Sequence, residues 1–228
     1  MLPLKDTFCK NLAIWYGNTE NGGSATFFSN KSEDYEECLI GFPAPGAEMK
    51  LIDDNGDVVT RGQLGELCIR STWRFVGYKN MPELLRSAVD ATGWFHSGDI
   101  AHIRPDGNIV IDGRKQDLIT MQTVKYFPWD IEKTLLKCPG VKEAVAVGVP
   151  DIRLNQVICA CVVPEADGNL TEISLKKFCD NHFLPEATSA GLSLKPRYHL
   201  VFDQLPLTSS GKIDRRKIVL LAKEKLSL

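Results

Sequence analysis

The sequence lacks several features that would point directly to a class of function. No apolar run approaches the roughly 18 residues that a membrane-spanning helix needs. The 27 Lys and Arg residues nearly balance the 29 Asp and Glu residues, and the formal net charge of −2 favours neither nucleic acid nor an anionic membrane as a partner. The first residues, MLPLKDTFCKN, contain neither a signal-peptide apolar segment nor an Arg-rich amphipathic segment.

Cysteine and histidine occur without the spacing of a disulfide framework or a metal site. The 7 cysteines are an odd number at irregular intervals, and several have apolar neighbours, among which a reduced cysteine acts as a small apolar residue. There is no CxxC pair, and the 4 histidines do not fall at zinc-ligand spacings. The glycosylation patterns at Asn30 and Asn169 would be unused in a reducing compartment. These absences predict a soluble intracellular protein, with the choice between mitochondrion and cytoplasm left open.

A phosphate-binding loop of the Walker type is also absent. The stretch PLTSSGKIDRRK, residues 206–217, contains a Gly-Lys pair that invites this interpretation. A Walker loop requires glycine five residues before that pair and Ser or Thr after the lysine, whereas Pro206 and Ile213 occupy these positions. By itself, Ser-Gly-Lys is typical of a surface turn, so a function for Lys212 depends on other residues.

The pattern of turns and apolar runs predicts two parts with a boundary near residues 112–117. Residues 1–112 contain short strands such as NLAIWYG and GELCIRS between Gly-rich turns, which favours a small β-barrel or a distorted sheet. Residues 113–228 combine β-rich runs with amphipathic helices, one of them capped by Thr171, and this order favours a compact α+β domain. We therefore predict an α+β protein with a β-barrel-like subdomain followed by a C-terminal α+β domain.

Five motifs then occur in a fixed order along nearly the whole chain. They are YGNTE (16–20), GELCIR (65–70) followed by Gly77-Tyr78, HSGD (96–99), GRKQD (113–117) and PLTSSGKIDR (206–215). Together they resemble the C-terminal portion of the adenylate-forming superfamily, which includes acyl-CoA synthetases, adenylation domains of peptide synthetases and beetle-type luciferases. The stretches YGNTENGGSATF, ICACVV and KPRYHLVF are similar to medium-chain acyl-CoA synthetases of the family member 2 type.

This resemblance implies an ATP-dependent ligase that joins a carboxylic acid, expected to be a fatty acid, to AMP and then to the thiol of coenzyme A. It implies that Tyr16, next to Gly17, stacks on the adenine and that Thr19 donates a hydrogen bond to the phosphate. Glu20 is implied to hold Mg²⁺, a hard cation that prefers oxygen ligands. Taken singly, these residues are also typical of a packed aromatic at a strand end and of a polar turn.

The resemblance gives the remaining motifs roles in ribose binding and catalysis. Asp99 is implied to accept hydrogen bonds from the ribose hydroxyls, since an ionised carboxylate offers only acceptors. Arg114 is implied to donate to the same ribose. Lys212 is implied to be a catalytic charge, brought by its mobile domain to the bond forming between the carboxylate and the α-phosphate. The hinge for that movement is implied to lie at Gln116.

The chain also departs from the pattern of the superfamily. Ser97 replaces a threonine, and Gln116 stands where Asp or Lys is usual. Gln122-Thr123 replaces a glycine pair beside which the pantetheine chain of coenzyme A passes, so we expect thioester formation to be weakened more than adenylation. The segment from residue 184 to 198 is also longer than the usual link in the pattern, and the phosphate loop expected before residue 16 is not found. We therefore expect a fragment with low activity by itself, and keep as alternatives a luciferase-like enzyme and a non-catalytic binding module.

Overall fold

The computed structural model describes residues 12–29, 38–166, 169–183 and 193–228. The chain divides into two compact units, Met1–Lys115 and Gln116–Leu228, which are described separately below. Three features of the sequence lie outside the described residues: the first eleven residues, the Asn30 glycosylation pattern and most of the long segment after residue 183.

The first unit is built on one antiparallel sheet of seven strands. The strands are β1 (Leu12–Asn18), β2 (Gly22–Ser29), β3 (Leu39–Pro43), β4 (Ala47–Ile52), β5 (Gly65–Ser71), β6 (Phe95–Ile103) and β7 (Ile109–Arg114). Their order in the sheet is β1-β2-β3-β7-β6-β5-β4, with every neighbouring pair antiparallel. No ladder joins the edge strands β1 and β4 within the described residues, so the distorted sheet describes this unit better than a closed barrel.

Strand β6 carries the residues of the HSGD motif on a half-buried surface. Its residues alternate between buried and partly buried from Phe95 onward, as expected for a strand with one face on a core. Ser97 and Asp99 therefore lie on the same face as the buried Phe95 and Ala101. A carboxylate on that face must have hydrogen-bond partners, because burying an unpaired charge is very unfavourable.

The second unit is a small sheet with helices on both faces. Its elements are β8 (Ile119–Met121), β9 (Val124–Tyr126), α2 (Pro128–Leu135), β10 (Val141–Asp151), β11 (Asn155–Pro164), α3 (Glu172–His182), β12 (Tyr198–Val201) and α4 (Arg215–Leu226). β10 pairs antiparallel with β11, which pairs parallel with β12, and β8 and β9 form a separate hairpin. One core packs residues of α2 and α3 against the sheet, and a second packs residues of α4. Strand β11 is apolar along nearly its whole length because both of its faces are buried.

Local sequence signals mark the starts of three helices. Pro128 opens α2, and Thr171 caps α3 through a reciprocal pair of hydrogen bonds with Ser174. Asp214 caps α4 by accepting from the Lys217 backbone N–H at 3.0 Å. The expected α+β class is confirmed. None of the helices in the described parts of the chain is long and apolar enough to cross a membrane.

One local feature differs from the sequence prediction. A helix, α1 (Pro82–Ala88), lies between β5 and β6 and was not predicted. It has no buried residue, so it lacks the apolar stripe by which a helix is recognised in a sequence. After β4, the turn at Asp54-Asn55-Gly56 is closed by a single bridge between Ile52 and Val58.

Candidate functional site: a tyrosine, an aspartate and an arginine on the first sheet

Three of the predicted nucleotide-binding residues meet in the first unit. The Tyr16 hydroxyl donates to Asp99 Oδ2 at 2.5 Å, and Arg114 Nε lies 3.0 Å from Asp99 Oδ1. Asp99 and Arg114 are directly opposite each other on β6 and β7, whereas Tyr16 comes from β1 at the far end of the sheet order. The fold thus joins three motifs that span almost a hundred residues of sequence.

The electrostatics of this cluster favour a neutral tyrosine beside Asp99. The Asp99 side chain is only 9% exposed, while that of Arg114 is 49% exposed and can still reach a ligand. Arg114 also donates from Nη1 to the Ser97 backbone oxygen at 3.1 Å, which fixes its guanidinium beside the carboxylate. Burial and the negative charge of Asp99 raise the pKa of Tyr16 well above its ordinary value.

Gly17 shapes the backbone immediately after Tyr16. The pairing of β1 with β2 is irregular between Tyr16 and Gly17. A Cβ atom on Gly17 would lie 1.9 Å from the Gly22 backbone oxygen, so no side chain is tolerated there. The glycine of this motif is therefore explained by close packing across the hairpin, and its predicted contact with nucleotide stays a prediction.

Thr19 and Glu20 occupy the turn between β1 and β2. Thr19 is exposed, and its side chain has no hydrogen-bond partner among the described residues. The Glu20 carboxylate accepts from the Tyr78 hydroxyl at 2.6 Å, and this hydrogen bond is the main cause that raises the pKa of Tyr78 to about 12. The Glu20 backbone oxygen accepts from Phe75 N–H at 2.8 Å. Two contacts thus hold Glu20 against the segment after β5.

Lys212 lies in the second unit, in a tight loop that leads into α4. Within this loop Thr208 N–H donates to the Lys212 backbone oxygen at 2.7 Å, and Lys212 N–H donates to Thr208 Oγ1 at 3.2 Å. Leu207 and Ile213 form a bridge across the same loop. The Lys212 side chain is exposed, and its ammonium has no ion pair within the described part of the chain. The structure therefore presents this lysine on a well-fixed backbone with its charge toward solvent.

The turn between β8 and β9 contains the residues that replace the glycine pair. Gln122 adopts the left-handed conformation with φ of 53°, which glycine adopts without strain. Its N–H donates to the Leu154 backbone oxygen at 2.7 Å. The backbone thus retains a shape that favours glycine, although an exposed glutamine side chain now projects from it.

The sequence did not reveal the residues that hold Glu20 and Asp99 in place by hydrogen bonds. Tyr78 was noted only as part of a motif, yet it holds Glu20. Ser97 was noted only as a substitution, yet its hydroxyl accepts from Asp99 N–H at 3.0 Å. The spacing Ser-x-Asp on an alternating strand is a signal that could have placed both side chains on one face. No group of three or more metal-ligating side chains occurs within the described residues.

Two family models match this chain. The family model described as AMP-binding enzyme matches residues 1–79, and the model described as AMP-binding enzyme C-terminal domain matches residues 130–212. The fold and these two matches define the class as an AMP-binding enzyme. The chain belongs to the adenylate-forming family of AMP-binding enzymes and corresponds to its C-terminal portion.

The similar proteins are ligases that are much longer than this chain. It is 36% identical over 185 residues to a long-chain-fatty-acid–CoA ligase of Escherichia coli O157:H7, covering 81% of this chain and 31% of that protein. It is 33% identical over 216 residues to the mitochondrial medium-chain acyl-CoA ligase ACSF2 of Rattus norvegicus, covering 92% and 33%. The structure of the anthranilate CoA ligase AuaEII with anthranoyl-AMP is similar with a TM-score of 0.76 and 25% identity, covering 95% of this chain and 40% of that one. The chain thus spans about a third of the length of these curated relatives.

Proposed function

We propose that this chain is the C-terminal part of an ATP-dependent carboxylic acid:CoA ligase that forms an acyl-adenylate and then a thioester. The observation that carries the proposal is the cluster of Tyr16, Asp99 and Arg114, which joins three motifs of the family in one place. The names of the relatives, which are fatty-acid CoA ligases, support the reaction class and a fatty acid as the substrate.

In this proposal the cluster holds the nucleoside of ATP and of the acyl-adenylate. Asp99 would accept hydrogen bonds from the ribose hydroxyls, since an ionised carboxylate offers only acceptors. Arg114, which is half-exposed, donates to the same ribose. The phenol of Tyr16 is fixed by Asp99, so its ring has a defined orientation for stacking on adenine.

Thr19 and Glu20 would act on the phosphates. The exposed Thr19 hydroxyl is available as a donor to a phosphate oxygen. Magnesium is commonly bound by one or two carboxylates together with substrate phosphates, and Glu20, half-buried and held by Tyr78, fits that pattern. When bound, Mg²⁺ would neutralise phosphate charge, while Tyr78 keeps the carboxylate of Glu20 in place.

Lys212 would stabilise the charge that develops between the substrate carboxylate and the α-phosphate. Its loop is closed by backbone hydrogen bonds, so the position of the side chain follows that of its unit. The ammonium is exposed and can be presented to a ligand. A fixed positive charge at such a site stabilises the transition state more than the ground state.

Thioester formation is the weaker half of the proposal. The names of the relatives support coenzyme A as the acceptor of the acyl group. Against it, Gln122 adds a side chain to a turn whose backbone suits glycine, where the pantetheine chain of coenzyme A is expected to pass. We therefore propose that adenylation is the better retained step. An intracellular location, mitochondrial or cytoplasmic, also stays a prediction, which the mitochondrial name of one relative supports.

The test is to graft the chain onto the part of a relative that it does not cover. The rat medium-chain acyl-CoA ligase is suitable, since this chain aligns with 33% of it. We expect the chimera to catalyse pyrophosphate exchange that depends on a fatty acid. Lys212→Ala should lower the exchange rate by about 10²–10³-fold, the effect of losing one preorganised charge-stabilising group. Lys217→Ala, which removes an equal charge from the exposed side of α4, is the matched control.

The outcomes separate the candidate functions. Exchange that Lys212→Ala leaves unchanged would contradict the catalytic role of this lysine. Exchange without CoA-dependent release of AMP would favour an adenylating enzyme that uses another acceptor, the alternative that Gln122 motivates. Binding of AMP by the chain without exchange in the chimera would favour a non-catalytic binding module.

A further inference from the structure

The turn that carries Thr19 and Glu20 is closed by the side chain of the residue before it. Asn18 Oδ1 accepts from the Asn21 backbone N–H at 2.8 Å and from Asn21 Nδ2 at 3.4 Å. Asparagine side chains that accept from a nearby backbone N–H in this way fix local backbone structure. Thr19 and Glu20 are the two residues enclosed between these hydrogen-bonded positions.

Asn21, at the end of this turn, is completely buried and has several hydrogen-bond partners. Its Oδ1 accepts from Ser71 Oγ at 3.3 Å. Its backbone oxygen accepts from Ser24 Oγ at 3.0 Å and from Trp73 Nε1 at 2.6 Å. Because leaving a buried polar group unsatisfied is costly, these partners together fix the orientation of Asn21.

Trp73 lies beside the turn in a space that two glycines leave free. A Cβ atom on Gly46 would lie 2.6 Å from Cζ3 of the indole, and one on Gly22 would lie 3.2 Å from its Cδ1. The indole is 42% exposed, so burial of apolar area alone does not explain its place. The hydrogen bond from its N–H to the Asn21 backbone oxygen does, because it joins the segment after β5 to the turn.

The same segment contacts the turn at further points. Phe75 N–H donates to the Glu20 backbone oxygen at 2.8 Å, and the Tyr78 hydroxyl donates to the Glu20 carboxylate at 2.6 Å. All these contacts end on Glu20 or Asn21. The exposed Thr19 hydroxyl has no such partner in the part of the chain that the structure describes, so the frame fixes its neighbours and leaves it accessible to a ligand.

We propose that Asn21 and Trp73 are positioning residues that hold this turn in its ligand-binding form before a nucleotide binds. A group that is already in place binds a phosphate more tightly, because the protein does not have to be ordered on binding. Neither residue touches the ligand, and the direct contact is left to Thr19. That the ligand is the phosphate of an adenine nucleotide rests on the proposed function; the frame around the turn does not.

Amide hydrogen exchange of the whole chain without nucleotide tests the frame. Trp73→Phe removes the indole N–H and keeps an aromatic ring. The amides of Asn21 and Phe75, which close the turn, should then exchange roughly two- to tenfold faster, the equivalent of one net hydrogen bond. Ser71→Ala, which removes the donor to Asn21 Oδ1, should change the same amides in the same direction. Trp129→Phe is the matched control, because Trp129 is 38% exposed and belongs to the second unit.

The affinities for AMP and for adenosine separate positioning from a general effect on folding. The two ligands differ only in the phosphate, and calorimetric titration of the chain measures both. Trp73→Phe should weaken the binding of AMP roughly two- to tenfold and leave that of adenosine unchanged, because the cluster of Tyr16, Asp99 and Arg114 stays intact. A merely structural role of Trp73 would weaken both ligands equally or neither.

Turn amides that exchange at the wild-type rate in both Trp73→Phe and Ser71→Ala would overturn the proposal. Faster exchange with an unchanged ratio of the AMP and adenosine affinities would overturn it as well. The proposed function fails separately: a wild-type chain that binds AMP no more tightly than adenosine would refute the phosphate contact of Thr19, while hydrogen exchange would still decide whether the frame holds the turn.

Discussion

The turn between β8 and β9 allows a stability prediction that follows from one backbone angle. Gln122 has a φ of 53°, and a residue with a side chain in this conformation costs about 1–2 kcal/mol. Glycine removes that strain but loses about 0.5–1 kcal/mol more entropy on folding. The Gln122 side chain is exposed and the N–H that binds Leu154 is retained in glycine, so no contact is lost. The difference lies between about 0 and 1.5 kcal/mol, and from the middle of this range Gln122→Gly should stabilise the second unit by about 0.5–1 kcal/mol.

Native-state hydrogen exchange of the buried β11 amides measures this change in the second unit alone. Since about 1.4 kcal/mol corresponds to a tenfold change, the slowest amides should gain roughly two- to fivefold in protection. Asn155→Gly is the matched control, because Asn155 also has a positive φ, of 67°, but asparagine tolerates this conformation and should gain less. Lower protection in Gln122→Gly, or an equal gain in Asn155→Gly, would refute the reasoning.

Three further predictions concern the polar contacts. Glu132→Ala should destabilise the second unit by about 1.5–3 kcal/mol, since it removes the bidentate partner of Arg215 and the acceptor of the Ala146 N–H and leaves Arg215 only its contacts with Asp117 and the Ala146 backbone oxygen; a loss below about 1 kcal/mol in the same exchange experiment would contradict this. Glu20→Gln should lower the pKa of Tyr78 from about 12 toward 10, measured from the NMR shift of its ring carbon, and an unchanged pKa would mean that the hydrogen bond is not its cause. Burial, with a smaller contribution from nearby lysines, lowers the pKa of His199 in the folded chain. As the pH falls, the unfolded chain therefore takes up a proton before the folded chain does, and the free energy of unfolding should decrease below about pH 6.5. Urea titrations at several pH values should show this decrease, and His199→Gln should make it smaller.

Elements with a strong local signal could be predicted from the sequence. The caps at Thr171 and Asp214 and the turn at Pro105-Asp106-Gly107 depend on short-range chemistry, and each lies where an element begins or ends. Helix α1 could not be recognised, because it packs no apolar face. The open form of the first sheet also depends on pairings between distant strands, such as β3 with β7, for which the sequence contains no local signal.

The candidate site could be predicted only through the resemblance. Nothing in the residues around Tyr16 indicates that its hydroxyl binds a carboxylate 83 positions away. The order of the motifs named both residues, while the contact of Tyr78 with Glu20 stayed hidden because it joins positions 58 residues apart in sequence. The resemblance thus identified the groups, and the fold was needed to show what holds them.

The central claim is that Asp99 binds the ribose of an adenine nucleotide. Calorimetric titration of the chain with AMP and with 2′-deoxy-AMP tests it without any other part of a ligase. Loss of a hydrogen bond to a charged group costs about 1.5–3 kcal/mol, so AMP should bind roughly 10- to 100-fold more tightly than its deoxy analogue. Asp99→Asn should narrow this ratio, because a neutral amide accepts more weakly than a carboxylate. Equal affinity of the wild-type chain for the two nucleotides, or a ratio that Asp99→Asn leaves unchanged, would contradict the claim.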